Sequence, residues 1–291
     1  MEKRFKQIKI ASVFGILGNL FLMIIKSIIG ILTHSQAMIA DAFNSVSDVF
    51  SSFMTFIGNK IASKPSDDDH NLGHGKAEYI YSMLISLAMF LLAFTSFKSS
   101  LSSLIFHKTF VFSKWLIIVC IVTIVLKFIL YLYTNNLSKK YNNILLKANA
   151  KDHRNDCVIT SCNLLSCFFS LYNLYYLDGF VGILISIWIF VTAILIFKES
   201  YNVLMDKSID EETKKKVYDI INNYKEIKKV NHFNATPVGY RYQISFTIFV
   251  DGELSTFESH EIADKLEDEI EEKVEEIYLT VIHVNPIKIT Q

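Results

Sequence analysis

Two short stretches place oxygen-bearing side chains four residues apart inside strongly apolar sequence. They limit the folds open to this chain more than any other feature. One runs from Ala40 to Asp48 and pairs Asn44 with Asp48; the other runs from Ala150 to Asp156 and pairs Asp152 with Asp156. On a helix, a spacing of four puts both side chains on one face. A carboxylate near the middle of a bilayer costs about 2.5–3.5 kcal/mol, so three facing lipid would cost about 8–10 kcal/mol. They must face one another, water or a cation. Two helices presenting one Asn and three Asp to a shared space would form a divalent-cation site.

The rest of the sequence agrees with a membrane setting. The chain has 291 residues, is 51% hydrophobic and has a mean hydropathy of +0.32, which points to several spans. The expected spans are 10–32, 37–59, 80–106, 115–133, 144–175 and 180–197, the last running on to Leu204. The basic N-terminal stretch leads into an apolar run with no small-residue cleavage site, so a first span is expected rather than a signal peptide. Gly15, Gly18 and Gly30 would allow close helix contacts there, and Lys26 would snorkel or pair with an acid. The second span carries a polar stripe, Asp41, Asn44, Ser45, Asp48, Ser51, Ser52 and Thr55, opposite bulky apolar residues. Hydropathy alone would start the fifth span at Cys157. However, Asn149, Asp152, Asp156, Thr160 and Asn163 share one helical face, so one long helix from Ile144 is expected. Residues 135–147 read as a connection and Asp178-Gly179 as a tight turn.

From Ser208 the character changes to charged and amphipathic. The periodicities predict an α-β-β-α-β order: a helix at 211–224, strands at 229–235, 240–250 and 279–284, and a second helix opened by a capping box at Ser255 to Glu258. Pro237 to Gly239 would turn the first strand into the second. The expected architecture is a six-span transmembrane domain, residues 1–207, followed by a small cytoplasmic α+β, ferredoxin-like domain, residues 208–291. Lys and Arg gather at the N-terminus, at 60–76, at 139–154 and after 198, which places both termini in the cytoplasm. Formal net charge is +0, so overall charge gives no reason to expect a nucleic-acid partner. The four cysteines form no C-x-x-C pair, so neither disulfides nor a thiolate zinc site is expected. No H-E-x-x-H motif suggests a membrane metalloenzyme, and the chain is expected not to be an enzyme. Asp67, His70 and His74, in the loop 60–76, have ligand chemistry, although their spacing also suits a solvated turn.

Six spans, the stretch ADAFNSVSD at 40–48, the loop HNLGHGKAE at 70–78, DHRND at 152–156 and a small terminal α+β domain together resemble the cation diffusion facilitator family. The likeness covers essentially the whole chain. It implies a homodimeric divalent metal/proton antiporter that exports metal from the cytoplasm across the cell membrane. Carried over residue by residue, it implies a transport site of Asn44, Asp48, Asp152 and Asp156, with Asp41 as a supporting carboxylate. It also implies a loop metal site of Asp67, His70 and His74, and a dimer-locking charge pair of Lys76 with Asp206. His232, His260 and His283 match metal-binding positions of zinc-type members. Thr247 and Asn285 stand where such members carry His and Asp, which implies a weak or lost terminal site.

Zinc-transporting members usually place a His in the membrane site; here the four donors are all oxygen. Carboxylate and carbonyl oxygens suit harder ions such as Mn²⁺, and the arrangement resembles the manganese-exporting branch. Ligand type leaves Fe²⁺ and Zn²⁺ export open as alternatives. From different classes, a channel without proton counterflow and a membrane-bound metal sensor are rivals. The expected partners are therefore a second copy of the chain, the bilayer, divalent metal and protons. The metal is transported cargo, and no cofactor is expected.

Overall fold

The apolar runs fold as helices whose greasy side chains point outward and whose polar side chains point in, the reverse of a water-soluble bundle. The computed structural model describes residues 2–32, 36–106, 114–170 and 175–287. It contains α1 (Glu2–Leu32), α2 (Gln36–Ala62), α3 (Ala77–Phe106), α4 (Lys114–Tyr141), α5 (Ile144–Ser170) and α6 (Tyr175–Leu204). Among the described residues, four helices are long and apolar enough to cross a membrane: Glu2–Ile29, Ala77–Ser102, Ile117–Tyr141 and Phe180–Leu204. The other two, α2 and α5, carry the polar stripes. On α2, Ser45, Asp48, Ser51, Ser52, Thr55 and Asn59 are buried while Val46, Phe50 and Phe53 are exposed. On α5, Asn149, Asp152, Asp156 and Thr160 are buried. α2 packs against α1, α3 and α5, and α4 packs against α1 and α5. The two polar helices therefore lie where the apolar helices can screen them.

Specific polar contacts hold this arrangement. Arg4 makes a buried bidentate pair with Glu78, at 2.6 and 2.8 Å, and its Nε donates to the Tyr141 carbonyl at 3.2 Å. That ties α1 to α3 and to the end of α4. Asn59 Nδ2 donates to the Phe5 carbonyl. Gly15 lets α1 approach α2 closely, since a Cβ there would lie 2.8 Å from Ser52 Oγ.

Three local expectations are corrected. α4 continues to Tyr141, and 135–147 is not a loop. The connection to α5 is only Asn142 and Asn143. Asn142 adopts a left-handed φ of 43°, which Asn tolerates better than most residues. Asn143 then caps α5, its Oδ1 accepting from Leu146 N at 2.9 Å. The backbone at Asp178-Gly179 is helical, within the first turns of α6, so it forms no tight turn. Lys26 does not snorkel: it is 3% exposed and donates to Ser45 Oγ at 3.2 Å.

A second unit comprises 65–76 with 202–291. It contains α7 (Glu211–Ile221), β1 (Lys229–Val238), β2 (Arg241–Asp251), α8 (Thr256–Lys273) and β3 (Ile277–Ile287). The sheet order is β1-β2-β3, with β1 antiparallel and β3 parallel to β2. Ile244, Phe246, Ile248 and Val250 alternate along the central strand into a core shared with Val217 and Ile221 of α7 and Leu266 and Ile270 of α8. The outer edge of β3 is not left bare: Glu271 accepts from Thr280 N at 2.7 Å and Glu267 from Ile282 N at 3.0 Å. Such pairing removes exposed strand donors that would invite another chain. The Ser255–Glu258 capping box is formed as expected.

The β1–β2 turn is Gly239-Tyr240, with Pro237 and Val238 still paired in the strand. Gly239 has φ +68°, and a Cβ on it would come within 3.0 Å of Gly75 Cα. Gly239→Ala should therefore destabilise this unit by about 1–3 kcal/mol, read as a lower melting temperature of the full chain. At the start of α7, the Thr213 backbone N–H holds the Asp210 carboxyl below its ordinary value of 3.8. A depressed native value stabilises the fold above the unfolded value, and that stability is lost as pH falls through the native one. Asp210→Ala should therefore lower the melting temperature at neutral pH, with the difference shrinking as the pH falls below the ordinary value of 3.8.

Candidate metal centre

Asp48 on α2 and Asp152 and Asp156 on α5 converge. Each offers one carboxylate oxygen, and the three oxygens lie within 4.8 Å of one another. All three residues are buried, at 5%, 3% and 5% exposure. The i, i+4 spacing on α5 and the packing of α2 against α5 bring them together. Asn44 and Asp41 belong to helical α2 backbone, but their side chains lie outside the described residues. His153 follows Asp152 in sequence and is fully buried, yet its ring is not part of the cluster. Among the described residues, the ligating atoms that converge here are all carboxylate oxygens.

A fourth charged residue stands at the focus, and sequence reasoning missed it. Lys127 of α4 is 1% exposed, and its Nζ lies 2.7 Å from Asp48 Oδ2 and 2.6 Å from Asp156 Oδ2. The signal was available: a lone lysine deep inside an otherwise apolar span is a functional candidate on cost alone. Asp152 Oδ2 is buried and has no hydrogen-bond partner among the described residues.

Further polar groups position α2. Asn19 of α1 donates to the Asp48 carbonyl and to Ser52 Oγ, both at 3.0 Å. Asn149 of α5 reaches Ser52 Oγ at 3.4 Å and Thr55 Oγ1 at 3.3 Å. The cluster is thus approached from α1, α2, α4 and α5.

In the second unit, Asp67, His70 and His74 also come together, with ligating atoms within 4.8 Å. Asp67 Oδ1 lies 3.0 Å from His70 Nδ1, and Asp67 Oδ2 lies 3.4 Å from His74 Nε2. Partial desolvation works against it, but hydrogen bonds from the ring and backbone of His70 hold the Asp67 carboxyl below its ordinary value. Two imidazoles and a carboxylate suit Zn²⁺ or a similar ion, with a further position left to solvent. Lys76 and Asp206 pair at 2.6 Å. His232, His260 and His283 are not gathered: they stand on β1, α8 and β3 and form no cluster of ligating atoms among the described residues. His283 pairs in register with Thr247.

Apolar helices closed around buried carboxylates, followed by a small α+β unit, define a membrane transporter for cations. Residues 12–205 match the cation efflux transmembrane domain, and residues 209–287 match the cation efflux protein cytoplasmic domain. An uncharacterised transporter of Methanocaldococcus jannaschii is 30% identical over 278 residues, covering 92% of this chain and 96% of its own. The Bacillus subtilis manganese efflux system protein MneP is 26% identical over 282 residues, covering 94% and 95%. MneS of the same organism, of the same description, is 28% identical over 277 residues, covering 94% of each. The chain belongs to the cation efflux, or cation diffusion facilitator, family, and it is a multi-pass membrane transporter.

Asn19 is fully buried and fixes α2 through the Asp48 carbonyl. Asn19→Leu should cost about 1–2 kcal/mol, measured as a lower melting temperature of the detergent-purified protein.

Proposed function

We propose that the protein exports Mn²⁺ from the cytoplasm in exchange for protons, as a homodimer in the cell membrane with both termini inside. The ion binds Asp48, Asp152 and Asp156, with Asn44, one helical turn before Asp48, completing the set. The observation that carries this reading is the convergence of three buried carboxylates from α2 and α5 with no imidazole among them. Oxygen donors favour Mn²⁺ over the softer or more nitrogen-seeking metals. Relatives described as manganese efflux proteins, MneP and MneS, support the same cargo.

Proton exchange follows from the donors. Carboxylates must be ionised to hold a metal, so protons and metal compete for the same oxygens. Protons arriving from outside displace the ion there, and the ion arriving from inside displaces protons. The Asp67–His70–His74 loop is a separate metal site, and Lys76 with Asp206 steadies the dimer.

Expression in a host lacking its own manganese exporters tests the site. The native chain should restore growth at toxic manganese, and Asp48→Ala and Asp152→Ala should each abolish protection. In proteoliposomes, Mn²⁺ movement should carry protons the other way, read by an internal pH dye. Protection by either alanine variant would overturn the assignment of ligands. Preferential transport of Zn²⁺ or Fe²⁺ in competition would overturn the choice of cargo, and metal flux without proton counterflow would overturn the antiport.

A further inference from the structure

We propose that Lys127 is the resident counter-cation of the transport site and that cargo binding is an exchange in which the ion takes the place of its ammonium. The proposal rests on the reading of Asp48, Asp152 and Asp156 as cargo ligands. Its ground is geometric. Asp48 and Asp156 come from different helices and aim one oxygen each at a single point. The Lys127 nitrogen occupies that point, 2.7 and 2.6 Å away, from a third helix. A divalent ion holds oxygen ligands at about 2.0–2.6 Å. An ion drawn to the same two oxygens therefore needs the space the ammonium fills, and two cations side by side there repel strongly in a dry interior.

The type of cation matters. Lysine is a compact point charge on a flexible four-carbon stem, so it can swing out of the cluster and back while α4 stays where it is. An arginine fork would grip a carboxylate in two places and leave less readily. The ammonium bridges Asp48 and Asp156 only. Asp152 contributes an oxygen to the same cluster, and its Oδ2 has no partner among the described residues. A divalent ion engages all three carboxylates and so outcompetes a monovalent group that engages two. Between one cargo ion and the next, the returning ammonium keeps two of the three buried carboxylates paired, which lowers the negative charge the carrier exposes to the apolar layer as it reorients. Lys127 is thus a positioning and coupling residue rather than a ligand.

Two measurements on the full-length protein test this. The first needs no variant: reductive methylation of the purified native chain with formaldehyde and cyanoborohydride, quantified at Lys127 by mass spectrometry with and without saturating Mn²⁺. Displacement of the ammonium predicts a several-fold rise in Lys127 methylation with Mn²⁺; no change or a fall overturns the proposal. The second uses Lys127→Met. With the competitor gone, Mn²⁺ should bind on the order of tenfold more tightly by equilibrium dialysis. In proteoliposomes, exchange of internal for external Mn²⁺ should persist while net efflux is mostly lost, because only net efflux needs the cargo-free site to return. Equal or weaker binding, or unimpaired net efflux, overturns it. If Lys127→Met does not fold, the labelling result decides alone. Native protein that fails to bind Mn²⁺ at all would sink the ligand assignment and this proposal with it. Native protein that binds Mn²⁺ through Asp48 and Asp152 without exposing Lys127 would sink this proposal only.

Discussion

Three carboxylates held out of water by an apolar bundle set the terms for the rest of the fold. Each would cost about 2.5–3.5 kcal/mol against lipid, so α2 and α5 must lie inside. Lys127 offsets part of that cost by bridging Asp48 and Asp156, and the packing of α4 beside α5 delivers it there. The division of labour among the helices follows. The four that qualify as spans by length and composition carry exposed apolar faces, such as Leu184, Ile187, Phe190 and Leu195 on α6. The two that do not qualify carry the buried carboxylates.

A buried polar site also needs its backbone held in register, and the same bundle supplies this with neutral donors. Asn19 and Asn149 reach α2 from opposite neighbours through Ser52, while Thr55 turns back to its own helix at the Ser51 carbonyl. These bonds contribute about 1 kcal/mol each at most, but leaving any partner unpaired costs more than the bond gains. A further charged tie lies elsewhere: the Arg4–Glu78 pair joins α1 and α3 well away in sequence from the carboxylates. Breaking either partner would leave a lone buried charge.

Much of this was legible in the sequence because it depends on local period. The polar stripe Asn149, Asp152, Asp156 and Thr160 identified α5 as one helix where hydropathy alone would have begun it at Cys157. The alternation Ile244, Phe246, Ile248 gave the central strand, and Ser255 with Glu258 gave the start of α8. What escaped notice depends on averaging or on tertiary contact. A hydropathy window dilutes one lysine among apolar neighbours, so Lys127 disappeared into α4. Asn142-Asn143 was absorbed into a polar stretch that looks like a loop, although two asparagines are enough for a left-handed step and a cap. Whether His232, His260 and His283 meet is decided by strand register and by the placement of α8, neither of which a single sequence displays.

Charge arithmetic links the buried site to the kind of ion it can accept. On the proposed assignment, three carboxylates share one ammonium among the described residues, and apolar surroundings screen them little. A monovalent cation would gain no charge over the lysine already in contact with two of the three acids. A divalent cation would, because it adds one more unit of charge at the same point and would draw in Asp152 as well. On that proposed assignment, selection for divalent over monovalent ions would need no narrow filter: it would follow from the number of carboxylates, the presence of Lys127 and the low dielectric around them. On the same assignment, selection among divalent ions would be a separate matter of donor type, since the cluster among the described residues contains carboxylate oxygens and no imidazole.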